Sequence, residues 1–426
     1  MSRNILDELT ERGLVYQSTD IEGLREHLDM PRAIYCGYDP TGPSLQVGNL
    51  VPVLIQARFQ QAGHTPVVVL GGATGQIGDP SGKSSERPLL DLAVIEKNKT
   101  RQRALFERLL RFGDGKRNDA IIVDNLDWLS NVTLIQALRD TGKHFSVNEM
   151  IQRDAVKDRL SRQQGLSLTE FFYGVFQALD FQHLQKAHGV TVQLGGSDQW
   201  SNILSGVDLV RRTSRATVYG LTCPLVTKAD GTKFGKTEAG PVWLSADLTS
   251  AYAFYQFFLN VGDAEVGKLL RFLTFLSVTQ ILAIEQEHAA NPGAREAQRA
   301  LARHLTSFIH GEVKMREVEE AAAALFYGRF DELRGNMLME ALAGVPRTVL
   351  SMGELAKAPL GVVELLCQTA LCESKREARE LLNAGAVTVN GGTCGPSSTV
   401  TTERLVHGRF AAIRKGKRTW HLAEWQ

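Results

Sequence analysis

The sequence predicts an α/β protein: a parallel sheet with helices on both faces, then an all-helical stretch, then a small basic α+β unit. Three observations predict it. Four short apolar runs each end in a polar loop, often rich in glycine, and helical patterns lie between them. Strands that alternate with helices join by crossovers and therefore lie parallel. Beyond residue 248 the pattern turns helical, and beyond residue 361 short apolar segments alternate with turns and clustered Lys and Arg.

A helix is expected over about residues 5–14. The first strand candidate, residues 33–36, leads into Gly37-Tyr38-Asp39-Pro40-Thr41-Gly42-Pro43-Ser44-Leu45-Gln46-Val47-Gly48-Asn49. An amphipathic run at 50–61 follows, with Pro52 suited to a first helical turn. A helix opening there offers unpaired N–H groups to an anion, most often a phosphate, and Gly48 lets backbone come close to it. The second strand candidate, 66–70, leads into Gly71-Gly72-Ala73-Thr74-Gly75-Gln76-Ile77-Gly78-Asp79-Pro80. Two look-alike motifs fail here on spacing. Gly78-Asp79-Pro80-Ser81-Gly82-Lys83-Ser84 ends like a P-loop, but Ile77 stands where the motif needs its first glycine. Gly72, Gly75 and Gly78 are wrongly spaced for a dinucleotide fingerprint.

A helical pattern over 97–112 precedes the third strand candidate, 120–123, which ends in Asp124-Asn125. Residues 169–186 are apolar around most of a helix, through Phe171, Phe172, Val175, Phe176, Leu179, Phe181 and Leu184, so that helix should be buried. Along it Tyr173, Gln177 and Asp180 fall at i, i+4 and i+7, one polar stripe. Buried polar groups need partners, here either neighbouring loops or a small polar ligand. The fourth strand candidate, 190–194, leads into Gly195-Gly196-Ser197-Asp198-Gln199-Trp200 and a further helix. In open parallel sheets ligands bind where loops leave the carboxyl ends of strands, which is where these polar loops sit. Lys228-Ala229-Asp230-Gly231-Thr232-Lys233-Phe234-Gly235-Lys236-Thr237 follows the last strand region. It is a cationic loop suited to phosphates, although most such loops are merely solvated.

Between 248 and 327, Pro292 sits near a helix start, and Ala297, Leu301, Leu305 and Phe308 form one apolar stripe ending at Gly311. Gly335, Gly344, Pro346, Gly353 and Pro359 then loosen the pattern into a connector. From Gly361 a compact unit begins. Ser374 caps a basic helix carrying Lys375, Arg376 and Arg379, residues 385–392 read as strand and turn, and Arg409, Arg414, Lys415, Lys417 and Arg418 follow. Such clustering suits a nucleic-acid backbone or forms a solvated basic edge.

Composition sets the outer bounds. The 426 residues are 43% hydrophobic and 22% charged, with a net charge of +1, the mix of a soluble globular chain. That length allows roughly two to three domains. No apolar signal core opens the chain and no run approaches the ~20 residues of a membrane span, so a cytoplasmic protein without membrane contact is expected. Cys36, Cys223, Cys367, Cys372 and Cys394 form no Cys-x-x-Cys pair and neighbour no His ladder, which argues against zinc or a disulfide framework.

Taken together, the loops, the polar stripe and the lysine loop resemble those of bacterial-type tyrosyl-tRNA synthetases, class I enzymes with a Rossmann-like catalytic core. The likeness runs from about residue 5 to the C-terminus. It rests on Tyr35-Cys36-Gly37, Gly71-Gly72-Ala73-Thr74-Gly75, Lys143-His144-Phe145-Ser146-Val147-Asn148, the loop 195–200, and Lys233-Phe234-Gly235-Lys236-Thr237, the family's second ATP signature. The unit from Gly361 looks like a small basic RNA-binding module shared with a ribosomal small-subunit protein. The resemblance implies a Rossmann-like catalytic domain over 1–227 with a dimer-forming insertion at about 126–188. It further implies a lysine loop and helical anticodon-arm domain over 228–330, a connector over 331–359, and the RNA-binding module over 360–426. Its RNA-binding residues would be Lys375, Arg376, Arg379, Arg414, Lys415, Lys417 and Arg418.

The implied activity is a tyrosine–tRNA ligase working as a homodimer on L-tyrosine, ATP with Mg2+, and tRNA(Tyr), without a prosthetic group or resident metal. Tyr35 and Asp180 would meet the substrate's phenol, and Asp79, Tyr173 and Gln177 its ammonium. Gln193 and Gln199 would line the pocket. Gly37, Asp39, Gly48, Gly196 and Asp198 would face the nucleotide. Lys233, Lys236, Thr237 and Thr41 would stabilise the phosphates. One departure matters: the family's first signature usually has histidines where this chain has Gln46 and Asn49. Both amides can donate hydrogen bonds, but neither carries positive charge. Adenylate formation needs orientation and charge stabilisation rather than proton transfer, so activity is expected with weaker hold on the ATP phosphates. The alternatives are a catalytically weakened paralogue that binds RNA, and a synthetase for another aromatic amino acid such as tryptophan.

Overall fold

Runs rich in β-branched and aromatic residues build a six-stranded sheet in the first of two compact units, Met1–Thr249 with Phe258–Ile309. The computed structural model describes residues 4–81, 89–161, 165–227, 231–232, 234–237, 240–330, 333, 335–343, 345–416 and 419–426. The strands are β1 (Gln17–Ser18), β2 (Ala33–Tyr38), β3 (Thr65–Leu70), β4 (Ile121–Asp124), β5 (Val190–Gly196) and β6 (Tyr219–Cys223). Their order is β1-β6-β5-β2-β3-β4, with β1 an antiparallel edge and the other pairings parallel. The chain winds outward in opposite directions from β2 and β5, which leaves a crevice beyond their carboxyl ends.

The sheet is sandwiched as the α/β reading expects. Helix Leu50–Gln61 is buried along nearly its whole length, and its Gln56 bridges two strands, accepting from the Tyr38 hydroxyl at 2.9 Å and donating to the Val67 carbonyl at 3.1 Å. A short 3-10 turn, Val47–Asn49, precedes it, and the first N–H groups there are already used, that of Gln46 by Asn49 Oδ1 and that of Val47 by the Val242 carbonyl. Helix Leu168–His188 is capped by Ser167 and closed by Gly189 in the left-handed conformation, φ 61°. Helix Leu92–Leu109 begins earlier than the expected 97. Asp91 caps it, and its first turn exposes Leu92 and Val94, which gives no apolar stripe to read.

Within the first unit the helical part contains Asp263–Leu273 and Val278–Ala290. Pro292 opens a 3-10 turn, and the helix that carries the buried Ala297, Leu301 and Leu305 starts at Glu296.

The second unit, Ser250–Phe257 with His310–Gln426, is built on a mixed five-stranded sheet. Arg347–Leu350 is its edge strand, parallel to Thr419–Trp425, so the stretch read as a connector contributes to a sheet. It also holds helices Gly335–Ala341 and Met352–Lys357. That strand is weakly marked in the sequence because it lies at an edge with one face exposed, Val349 at 54%, and the other only half-buried. Alternation along Phe410–Lys415 serves two cores: Ala411 and Ile413 face helices Val362–Gln368 and Lys375–Asn383. Phe410 and Ala412 instead pack with Ala321, Leu325, Met337 and Leu338.

Candidate active site

The crevice is a cavity of about 420 Å³ whose walls come from the loops after β2, β3 and β5 and from helix Leu168–His188. The stripe Tyr173, Gln177 and Asp180 lines it, so one helical face delivers three polar groups to a single wall. Tyr35 lies at its base, 1% exposed, ring centroid 5.2 Å from Phe181, and its hydroxyl has no hydrogen-bond partner. Asp180 is 4% exposed; it accepts from Asn125 Nδ2 at 3.1 Å and from Trp128 Nε1 at 2.8 Å, one donor on each oxygen. Burial pushes its carboxyl up to about 7, against the pull of those two donors and with the Asp39 and Asp124 charges raising it further. Burial, then the Asp180 charge, raises the Tyr35 phenol well above its ordinary value.

A second cluster sits around Asp39. The Tyr173 hydroxyl donates to Asp39 Oδ2 at 2.8 Å, and Thr74 Oγ1 donates to Oδ1 at 2.7 Å. Asn125 Nδ2 reaches Thr74 Oγ1 at 2.9 Å as well as Asp180, which joins the two clusters through one amide. Asp79 accepts from Gln199 Nε2 at 2.6 Å and from the Ser81 N–H at 2.9 Å. Two glycines are forced by this arrangement. A Cβ on Gly71 would lie 2.1 Å from Asp39 Oδ1, and one on Gly72 would lie 2.1 Å from Asp124 Oδ1. Gly37 is the opposite case: a Cβ there meets nothing within 4 Å, so its face is open cleft.

Thr41, Gln46, Gly48 and Asn49 line the other end, with Gly196 and Asp198 on the facing loop. Asn49 Oδ1 accepts from the Gln46 N–H at 3.0 Å, which leaves the Asn49 amide nitrogen as the group it can offer. Among the described residues lining the cavity there is no Lys or Arg, while Asp39, Asp79, Asp180 and Asp198 all do so. The walls by themselves thus suit an ammonium, and a phosphate chain needs cations from elsewhere. The lysine loop approaches that end. A Cβ on Gly235, φ 90°, would lie 3.2 Å from the Gly48 nitrogen and 3.2 Å from Val47 Cβ, and Gln46 bridges to Trp243. Lys233 and the side chain of Lys236 lie outside the described residues.

Two expected members are not on the cavity wall. Gln193 is in register with Tyr35 on the adjacent strand but is 2% exposed, and a Cβ on Gly206 would come 3.1 Å from its Oε1. It packs under the site toward a helix. Thr237 stands in a two-residue hairpin pairing and donates to the Gly240 carbonyl at 3.1 Å. Thr74, Asn125 and Trp128 were missed by the sequence reading. Asn125 was visible as the end of the loop after β4, but no spacing rule connects it to Asp180 across 55 positions.

On the basic unit, Lys375 pairs with Glu364 at 2.9 Å, Arg376 with Glu380 at 3.0 Å and Lys415 with Glu377 at 2.8 Å. Arg379 is exposed, and the Arg414 guanidinium lies 5.4 Å from the Trp420 ring centroid. Lys417 and Arg418 lie outside the described residues. Surface pairs of this kind contribute little and can be exchanged for phosphate.

A crevice at the strand reversal of a parallel sheet, with nested carboxylates at one end and a glycine-rich helix start at the other, is the site of a class I synthetase. Residues 29–327 match the family model described as tRNA synthetases class I (W and Y), and residues 338–423 match the tyrosine–tRNA ligase SYY-like C-terminal domain. The tyrosine–tRNA ligase of Aliivibrio fischeri is 45% identical over 429 residues, covering 100% of this chain and 99% of that protein. That of Desulfitobacterium hafniense is 44% identical, covering 99% of each. A C-terminally truncated mitochondrial tyrosyl-tRNA synthetase from Aspergillus nidulans superposes with a TM-score of 0.68 at 32% identity, covering 76% of this chain and 94% of that one. This chain belongs to the tyrosine–tRNA ligase family of class I synthetases.

Proposed function

We propose that the chain activates L-tyrosine with ATP and transfers it to the 3' end of tRNA(Tyr). The observation that carries this reading is the base of the cleft: a buried Tyr35 hydroxyl without a partner beside a carboxylate that already accepts on both oxygens. Such a pair lacks one molecule that can accept from Tyr35 and donate to Asp180, which is what a phenol does. A site of this kind rejects phenylalanine because its polar groups would be left unpaired, a rule for which a tyrosyl enzyme is itself the usual illustration.

In this reading Asp79, Tyr173 and Gln177 hold the substrate ammonium, with Gln199 fixing Asp79. The tyrosine carboxylate oxygen attacks the α-phosphorus, the bond to the bridging oxygen breaks, and pyrophosphate leaves with that electron pair. Gly37, Gly48, Gly196, Asp39 and Asp198 receive the nucleotide. Thr41, Gln46 and Asn49 donate to the phosphates, and Lys233 and Lys236 supply the charge that the walls lack, acting with the magnesium that accompanies ATP. In the second step a ribose hydroxyl of the tRNA attacks the activated carbonyl and AMP departs.

The division into catalytic, helical and RNA-binding parts belongs to the same proposal, with Lys375, Arg376, Arg379, Arg414, Lys415, Lys417 and Arg418 facing tRNA. So does a homodimer formed through the insertion, which is supported by exposed Leu134 at 71%, Ile135 at 69% and Val147 at 58%. A cytoplasmic location fits the absence, among the described residues, of any helix long and apolar enough to cross a membrane. Tyrosine-dependent ATP–pyrophosphate exchange by the purified chain tests the reading; RNA binding without exchange overturns it in favour of the weakened paralogue.

A further inference from the structure

The loop that carries Thr41 is rich in Pro and Gly and has few hydrogen bonds of its own. It is held instead by one face of helix Leu92–Leu109. Asn98 Nδ2 donates to the Pro40 carbonyl at 3.0 Å, Gln102 Nε2 to the Gly42 carbonyl at 3.2 Å, and Arg101 Nε to the Pro43 carbonyl at 2.8 Å. These residues fall at i, i+3 and i+4, so they project together. Asn98 is 5% exposed and Gln102 1%. Arg101 also pairs with Asp247 at 2.6 Å, next to the segment whose Ser245 hydroxyl donates to Ser44 Oγ at 2.8 Å.

We propose that Asn98, Arg101 and Gln102 form a positioning ladder for the phosphate end of the cleft, fixing the Thr41 loop and the entry of the chain into the Gln46–Asn49 turn. This rests on the reading of that end as the ATP site. Three features favour it over mere packing. Carbonyls only accept, so each amide must present its nitrogen to the loop, and the orientation of both side chains is set. The other end of the Gln102 amide, Oε1, is then buried without a partner, a cost that an apolar residue of the same size would avoid. Finally, Gln102 itself reaches the cavity wall, so the ladder ends where the ligand would lie.

The test compares Asn98→Ala, Gln102→Met and Arg101→Met with the unaltered full-length chain. Affinity for a fluorescent ATP analogue is measured by titration, tyrosine affinity by equilibrium dialysis, and stability by thermal melting. Asn98→Ala and Gln102→Met are each expected to weaken nucleotide binding by about fivefold, the equivalent of one neutral hydrogen bond, and Arg101→Met by at least that much because its donor is charged, with tyrosine affinity unchanged. Gln102→Met should melt with the unaltered protein, because the lost bond is offset by removal of the unpaired oxygen. Arg101→Lys should recover only part of the loss, since an ammonium lacks the fork that spans Pro43 and Asp247. Unchanged nucleotide affinity overturns the inference, as does a loss shared equally by both ligands and tracking the melting temperature. Nucleotide titration needs no amino-acid activation, so failure of the exchange assay would count against the proposed function and not against the ladder.

Discussion

Tyr35→Phe separates what the site does for the fold from what it does for the ligand. The hydroxyl removed is fully buried and has no hydrogen-bond partner. A buried polar group without a partner costs about 1–3 kcal/mol, so its removal should leave stability unchanged or raise it by about 1 kcal/mol. Packing against Phe181 stays, because the ring is retained. With tyrosine bound, the same hydroxyl makes one hydrogen bond to the phenol, and a bond of that kind is worth about 0.5–1.5 kcal/mol net. At 1.4 kcal/mol per tenfold, tyrosine should lose a factor of about 2 to 12 in kcat/KM. Phenylalanine has no hydroxyl to lose, so discrimination between the two should fall by that factor. Pyrophosphate exchange with each amino acid, together with urea denaturation, measures both sides. A variant that is clearly destabilised and yet discriminates as before would refute the assignment of Tyr35 to the phenol.

Other perturbations address the rest of the site. Gly37→Val should fold normally, since a Cβ there has open space, but should weaken ATP binding at least tenfold by filling the nucleotide's place, about 1.4 kcal/mol or more; unaltered ATP KM would remove Gly37 from the site. Gly71→Ala should do the reverse, costing about 1–3 kcal/mol of stability as its methyl displaces Asp39, and should impair both substrates. Because Asp180 titrates near 7, raised above an ordinary carboxylate, its charged form is lost as pH falls through that value. Protonation removes an acceptor already flanked by two donors, so the tyrosine KM should rise by about tenfold between pH 8 and pH 6; a flat profile would mean the carboxylate of the free chain is already ionised throughout this range, against the upward shift that burial gives it. Deleting 361–426 should abolish tRNA charging and spare exchange. It also strips Val406, Phe410, Ala412 and Leu422 from helices Glu312–Tyr327 and Gly335–Ala341, so limited proteolysis should then cut within those helices.

How much was legible depended on whether a signal was local. Strand and helix alternation, the buried polar stripe on Leu168–His188 and the loops after β2, β3 and β5 all follow from periodicity and turn residues within short windows. The joining of those loops does not. Asn125 connects Thr74 to Asp180, and Trp128 stacks on His183 at 4.4 Å while holding Asp180, contacts that only tertiary folding creates. Gln193 is expected as pocket lining because its strand leads into the site; it shares a sheet face with its in-register neighbour Tyr35, but its side chain lies against Gly206, covered by a helix that no local pattern places there. The edge strand Arg347–Leu350 was read as a connector because its side chains are half in water and its neighbours are Gly and Pro. In each case the missing information was which face, or which distant element, a residue meets.

In the proposed function this cleft activates tyrosine with Gln46 and Asn49 standing where the family usually has histidines. Pyrophosphate exchange measured on the purified full-length chain with tyrosine, phenylalanine and tryptophan in parallel tests it most directly. Exchange should be ATP-dependent with tyrosine and slight or absent with the other two, and ATP affinity should be higher in Gln46→His. Absence of tyrosine-dependent exchange in a chain that still folds and binds tRNA would contradict it.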